Sequence, residues 1–432
     1  MKPNRTVLLA LPVGVLFLSA VAVSRAEDAL PELRPPPAPA AEPAPAAEPA
    51  PAVASPAPAP AAAAAAPAPR LGEAHLDPAL GRYVAPYGAG KAILTLSTGL
   101  QQHLTRTLAN NAVPWGVTVL LEPAPGRVLA MAEHSRAQPG VTGLALKAMA
   151  PAASIFKLIT AAALLEQGVS PGEQVCFHGG RHRLDPRLLT DDPRRDRRCT
   201  TLEDAFGRST NVVFAKLAGR GLDAPELRDA ASRFLFNTPI PFPLALEPST
   251  AQIDDDAFQL ANTAAGFGPV RLTPVHAALL AAIVANGGVF VPPVLVDEVE
   301  GAPAPPETEP WRVVDGKVAS ALTEMMRATV TEGTARKAFR RVTSVLRGVP
   351  VAGKTGTISD REPYRDYSWF VGFAPADNPE VAVATVIVNE RRWRVRAPAV
   401  ARDALEAYFA SEIAHADSGG RGRVRTAKVT LK

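Results

Sequence analysis

The feature that most constrains this chain is a stretch unable to form a packed domain. Residues 31–70 hold 14 of the 44 prolines, mixed with alanine and glutamate and including an all-alanine run at 61–66. Such a segment has little apolar surface to bury, and its prolines favour an extended polyproline II course. At roughly 3.1 Å per residue its reach approaches 100 Å. It reads as a Pro/Ala-rich spacer over 27–72, which confines any globular fold to about 73–412. Ahead of it, Lys2 and Arg5 precede an uncharged run at 7–23, with small residues at Ala20, Ala22, Ser24 and Ala26. Seventeen helical residues span about 26 Å, the lower edge of what crosses a bilayer core. Residues 1–26 are therefore either a cleaved signal peptide or a retained signal anchor. Neither cysteine lies near the cleavage position, which argues against a lipoprotein. Both readings export the rest to the outer side of the cytoplasmic membrane.

Within 73–412 the core must come from small and branched aliphatics, because 47% of the chain is hydrophobic but only 6% aromatic. The net charge of +4 is mildly basic. The arginines neither gather on one predicted helix nor interleave with aromatics, so a nucleic-acid partner is not expected. From about Ala92 the texture becomes that of a folded domain. Apolar runs at 117–123 and 127–132 surround Pro-Ala-Pro-Gly, the pattern of a β-hairpin. Helical spacing covers 154–167, 202–219, 223–235, 273–286 and 317–331. Three strands follow at 349–358, 368–374 and 381–389, then a helix at 398–411. Strands at both ends and helices between predict an α+β fold, with an antiparallel sheet joining the N-terminal hairpin to the C-terminal strands. The helical middle forms its own lobe, and the Gly- and Arg-rich tail from 413 is expected to be disordered.

Three short motifs carry chemistry. Ser154-Ile155-Phe156-Lys157 opens a helix, so positions i and i+3 share a face and the lysine amine can reach the serine hydroxyl. A neutral Lys157 would take that proton, provided burial or a nearby cation lowers its pKa. Ser209-Thr210-Asn211 follows. Lys354-Thr355-Gly356-Thr357 then closes a strand, with Gly356 allowing close approach to the serine helix. Lys354, Thr355 and Thr357 offer a charge and two hydroxyls to a substrate carboxylate. The Thr357 and Ser154 N–H groups would pair as an oxyanion hole. Taken singly, these are an N-cap, a polar helix break and a turn; in this order they form one constellation.

The constellation resembles the S-x-x-K, S-x-N and K-T-G-T motifs of penicillin-binding proteins and serine β-lactamases. Flanking residues are similar to the transpeptidase domain of high-mass penicillin-binding proteins: Leu94-Thr95-Leu96 leading to Leu100-Gln101, Val119-Leu120-Leu121-Glu122-Pro123, Val128-Leu129-Ala130-Met131-Ala132, Gly266-Phe267-Gly268, Leu272-Thr273-Pro274, Ala285-Asn286-Gly287-Gly288 and Trp369-Phe370-Val371-Gly372-Phe373-Ala374-Pro375. The likeness spans roughly 92–410. It implies a five-stranded antiparallel sheet flanked by helices, plus an all-helical subdomain. It also implies an acyltransferase working on peptidoglycan stem peptides and acylated by β-lactams, without a cofactor. Ser154 would be the nucleophile and Lys157 its base; Ser209 would relay a proton, with Lys354 setting the local charge. Asn211 would orient the substrate amide, and Thr355 and Thr357 would hold the terminal carboxylate. Neither a glycosyltransferase domain nor the larger pedestal domain fits before residue 92, so a nearly bare catalytic domain on a spacer is expected, with other cell-wall synthesis proteins as possible partners.

Rival readings share these motifs. A β-lactamase needs a base that activates water, yet no E-x-x-L-N segment lies between Asn211 and Lys354, and Glu166 sits about 18 Å along the serine helix. A D,D-carboxypeptidase and a non-catalytic penicillin sensor also remain. Cys176 and Cys199 are the only cysteines; in an exported chain they most simply form a disulfide, with zinc on Cys176, His178 and His182 as the alternative. No metal is expected at Asp254-Asp255-Asp256, which reads as a solvated loop. Arg391, Arg392 and Arg394, around Trp393, are either a solvated strand end or a contact to an anionic polymer.

Overall fold

In the computed structural model, residues 68–417 are described except 181–182, 303–304 and 306–307. The expected targeting segment, the expected spacer up to 67 and the tail beyond 417 lie outside the described residues. The central sheet consists of β1 (Trp115–Leu121), β2 (Val128–His134), β3 (Ala352–Arg361), β4 (Tyr364–Ala374) and β5 (Val381–Asn389). Its order is β3-β4-β5-β1-β2, antiparallel throughout. The N-terminal hairpin thus closes onto the C-terminal strands, as expected, and β3 is left at an edge.

Strand β5 explains why the sheet is interior. Its run Val-Ala-Val-Ala-Thr-Val-Ile-Val leaves no residue exposed. Period-two alternation sends Val381, Val383 and Ile387 to one face, and Ala382, Ala384, Val386 and Val388 to the other. The first face is covered by α1 (Thr98–Asn110), whose Leu100, Leu104 and Leu108 recur every fourth position. On the second face lies a helical lobe: α2 (Lys157–Glu166), α3 (Leu202–Arg208), α4 (Asn211–Gly221), α5 (Ala224–Arg233), α6 (Ala257–Ala264), α7 (Pro274–Ala285) and α8 (Gly316–Thr331). Helix α7 is apolar all round and buried from Pro274 to Val284, so it forms the spine between lobe and sheet. Burial holds its His276 neutral, with a pKa of about 4. After the short α9 (Arg336–Phe339), α10 (Ala397–Asp417) completes the first face.

Several elements differ from the sequence expectation. A second antiparallel sheet joins His75–Asp77, Arg82–Tyr87, Gly90–Leu94 and Val296–Glu300. Folded structure therefore starts before Ala92, and Pro69 already bridges to Tyr87. Helices α1 and α6 carry too few contiguous apolar residues to stand out. The stretch 202–219 is two helices, broken at Ser209. The β3–β4 hairpin continues to Arg361 and Tyr364, where charged residues imitate a loop because the ladder projects into solvent. Helix α10 runs on to Asp417, past the expected start of a disordered tail.

Candidate active site

Ser154 sits in a single 3-10 turn, Ala153–Ile155, that feeds α2. Ala153, just before it, holds a left-handed φ of 50°, and Ser209, which ends α3, one of 57°. Such conformations cost about 1–3 kcal/mol in a non-glycine residue and persist where the surroundings enforce them. At Ser154 the enforcing element is Gly266, just past the α6 C-terminus. A Cβ on Gly266 would lie 2.5 Å from the Ala153 carbonyl oxygen and 3.0 Å from the Ser154 Cα. The turn after α6 is thus pressed against the serine backbone.

Lys157 is fully buried. Its Nζ lies 2.9 Å from Ser154 Oγ, 2.7 Å from Asn211 Oδ1 and 2.5 Å from the Ala265 carbonyl oxygen. Burial, and then the charge of Lys354, hold its pKa well below the ordinary lysine value. A neutral amine has two N–H groups and one lone pair. The carbonyl and the amide oxygen can only accept, so they take both N–H groups and leave the lone pair toward the Ser154 hydroxyl. An amine so placed is able to accept a proton from a hydroxyl at this distance. Lys354, also fully buried, donates to Ser209 Oγ at 3.0 Å and to its neighbour's carbonyl, Thr355 O, at 2.9 Å. Burial lowers its pKa to about 7. Phe214 and Phe206 lie under the two amines, 5.5 and 5.4 Å from ring centre to Nζ.

Strand β3 passes beside the serine turn with its unpaired edge available for an added strand. A Cβ at Gly356 would stand 3.2 Å from both the Ala152 carbonyl oxygen and Ile155 Cγ1. Thr357 is exposed on this strand, whereas Thr355 is buried and its hydroxyl meets that of Thr334 at 2.5 Å. Ser154, Lys157, Ser209, Asn211, Lys354 and Gly356 therefore converge. Thr334 and the Ala265 carbonyl escaped sequence reasoning: a backbone acceptor has no side-chain signature, and Thr334 belongs to no motif. The Gly266-Phe267-Gly268 string marked the second of these regions without giving it a role.

The profile described as penicillin binding protein transpeptidase domain matches residues 116–406. The chain belongs to this family. Over 311 residues it is 30% identical to the peptidoglycan D,D-transpeptidase PbpA of Mycolicibacterium smegmatis, covering 63% of this chain and 61% of that protein. It is 31% identical over 314 residues to PbpA of Mycobacterium tuberculosis, covering 63% and 62%. The match thus spans about three fifths of these curated relatives. Among solved structures, penicillin-binding protein A of M. tuberculosis as an imipenem acyl-enzyme superposes with a TM-score of 0.60 at 29% identity, covering 75% of this chain and 80% of that one. The penicillin-binding protein fold, sheet and helical lobe alike, is the one the sequence implied.

Other singled-out residues separate from this centre. Cys176 and Cys199 face each other across a two-stranded ladder and are joined as a disulfide, so no free thiolate remains for zinc; His182 lies outside the described residues. The loop they close is pinned by buried Lys216, whose Nζ reaches the Cys176 carbonyl oxygen at 3.0 Å and Asp196 at 2.5 Å. His178 also binds Asp196. Glu166 is held by Arg233 through contacts of 2.9 and 2.5 Å. Asp256 caps α6 and Asp255 pairs with Arg228, so this acidic run is a capped turn. Among the described residues no group of three or more His, Cys, Asp or Glu is arranged to hold a metal ion. No described helix is long and apolar enough to cross a membrane.

Proposed function

We propose that this protein is a serine-type peptidoglycan D,D-transpeptidase of the cell envelope, acting outside the cytoplasmic membrane through a Ser154 acyl-enzyme. The observation that carries the reading is the environment of Lys157, whose partners consume both N–H groups of a neutral amine and turn its lone pair to Ser154. Ser154 Oγ attacks the carbonyl of the penultimate residue of a stem peptide while its proton passes to Lys157. The developing oxyanion is met by the Ser154 and Thr357 N–H groups. Ser209, beside Lys354, hands a proton to the leaving amine, and the C–N bond breaks. An acceptor amine then attacks the ester, its lost proton restoring the Ser209–Lys354 pair while the proton on Lys157 returns to Ser154 Oγ, so that the cross-link forms and Ser154 is freed. Asn211 contributes by holding Lys157 and by facing the substrate amide. Lys354, Thr357 and the Thr334-supported Thr355 receive the terminal carboxylate, and a β-lactam presents the same carboxylate and a strained amide.

Hydrolytic readings have less support. Glu166, the one carboxylate on the serine helix, is engaged by Arg233 and has no access to an acyl group on Ser154. Incubating the full-length chain with peptidoglycan strands and a D-amino acid tests the proposal. Exchange of the terminal residue is expected; its simple loss would assign carboxypeptidase activity. Rapid multiple turnover of a chromogenic cephalosporin would assign a β-lactamase. Ser154→Ala should abolish covalent labelling by a fluorescent penicillin, and persistent labelling would contradict the assigned nucleophile.

A further inference from the structure

The strand register brings an uncommitted cationic group to the end of the sheet beside Thr357. Along β3 and β4, Thr357 pairs with Ser368, Ile358 with Tyr367, Asp360 with Arg365 and Arg361 with Tyr364. Tyr367 pairs with Val388 of β5, and Val388 with Trp115 of β1. Four strand ends therefore meet in one rim, joined by the segment that leads from β5 into α10. Arg361, Arg365, Arg391, Arg392, Arg394 and Arg396 all lie on it, and among the described residues none is in an ion pair. Of the nearby acids, Glu390 pairs with Arg136 and Asp360 accepts from the Tyr367 hydroxyl, while Glu362 is an exposed carboxylate in the hairpin turn, so the six arginines outnumber the free acids of the rim.

Three of these guanidiniums rest on aromatic rings: Arg365 on Trp115 at 4.4 Å, Arg391 on Tyr364 at 5.2 Å and Arg396 on Trp393 at 4.4 Å. The rings are themselves fixed. Buried Asp366 accepts from the Tyr364 hydroxyl at 2.6 Å, from Trp393 Nε1 at 2.7 Å and from Ser359. Trp115 Nε1 donates to Gln138 at 3.3 Å. Contact with a ring restrains each guanidinium, and Arg365 is further held by donating Nη1 to the Tyr364 carbonyl at 2.9 Å; such restraint reduces the ordering cost of binding a carboxylate. A merely solvated strand end would need neither the buried carboxylate nor the stacked rings.

We propose that Arg365, Arg391 and Arg396 form a carboxylate-binding platform that holds the peptidoglycan strand whose stem peptide occupies the Ser154 site. The inference rests on the function proposed above and names how that substrate is retained. Arg361 lies about 13 Å from Thr357 along the same strand at 3.3 Å per residue. A peptide lying along the β3 edge would thus bring the carboxylates of its own polymer to the platform. The excess positive charge is complementary to such a polymer, and it is continuous with the edge that receives the peptide.

The test compares the full-length chain, purified in detergent, with a triple variant, Arg365→Gln, Arg391→Gln and Arg396→Gln. The expected result is that the variant co-sediments with purified sacculi about tenfold more weakly, a difference of about 1.4 kcal/mol, while fluorescent-penicillin labelling stays within about twofold. Amidating the sacculus carboxylates should reduce wild-type binding to the variant's level. Undiminished sedimentation of the variant, or wild-type binding insensitive to amidation, would overturn the platform. So would a loss confined to mixed micelles containing phosphatidylglycerol, which would make the patch a membrane contact. Penicillin labelling reports on the Ser154 site independently: loss of labelling in the wild type sinks the proposed function, whereas loss of sacculus binding alone in the variant supports the platform.

Discussion

Gly266→Ala isolates the contact that sets the position of the proposed nucleophile. At a φ of 88° the new methyl would sit 2.5 Å from the Ala153 carbonyl oxygen, 0.9 Å short of the 3.4 Å at which ordinary contact begins. The carbonyl is backbone and the Cβ is fixed by the backbone that carries it, so neither can rotate away, and the Ser154 turn or the α6 turn must move by most of that distance. A displacement near 1 Å at a reacting atom costs about a hundredfold in rate. The left-handed backbone adds about 1–2 kcal/mol of destabilisation. Gly287→Ala is the matched control, because Gly287 has a φ of 64° but nothing within 4 Å of the place its new methyl would take. The assay is the second-order rate of acylation by a fluorescent penicillin, read beside the thermal midpoint of each variant. Gly266→Ala should acylate about a hundredfold more slowly, and Gly287→Ala should lose stability alone. Near-wild-type acylation by a folded Gly266→Ala protein, or an equal loss in Gly287→Ala, would refute the argument that Gly266 places Ser154.

Two further outcomes follow from the buried amines. Lys157→Met should slow acylation by about 10²–10⁴, the usual weight of a general base, and should flatten the fall of the rate at low pH that protonation of Lys157 imposes on the wild type; a variant retaining the wild-type pH profile would point to another base. Lys354 titrates near 7 in the folded chain and near 10.5 when unfolded, so folding is disfavoured wherever the unfolded amine is charged and the folded one is not. Stability from this group is full above 10.5 and falls as pH drops toward 7, a penalty on the order of 5 kcal/mol for the full shift. Thermal midpoints of wild type and Lys354→Met should therefore converge as pH rises from 7 to 10.5, with the variant more stable at 7; parallel curves would remove the depressed lysine.

What the sequence disclosed follows the range of the interactions involved. Strand β5 announced itself because both of its faces are buried, so all of its positions but Thr385 and the terminal Asn389 are apolar. Ser154 and Lys157 were legible because one helical turn sets their separation. The S-x-N and K-T-G-T motifs could be noticed as strings, but their meeting depends on α3 breaking at Ser209 and on β3 lying at the edge nearest the serine turn. The hairpin end at 358–367 was hidden, since Asp360, Arg361 and Arg365 read as solvated loop while forming a regular ladder closed by the turn at Glu362 and Pro363. Helix α6 was missed for its length and mixed polarity, although the turn it delivers presses on Ser154 and supplies the Ala265 carbonyl.

The same contrast explains how the site tolerates two buried lysines, whereas a third, Lys216 of α4, is met by Asp191 and Asp196. An unpaired buried ammonium is too costly to persist, so each amine must be neutralised, bonded or both. Lys157 is answered by a backbone carbonyl, an amide and a hydroxyl; Lys354 is answered by a hydroxyl and its neighbour's carbonyl. No carboxylate lies among these partners. A carboxylate would have stabilised the charged form and raised both pKa values toward those of surface lysines, leaving no lone pair for Ser154. The cost appears as lost stability at neutral pH, and its return is an amine able to accept a proton where a solvated lysine would hold one. The site therefore depends less on any single motif than on keeping anions away from positions 157 and 354 until a substrate brings its own.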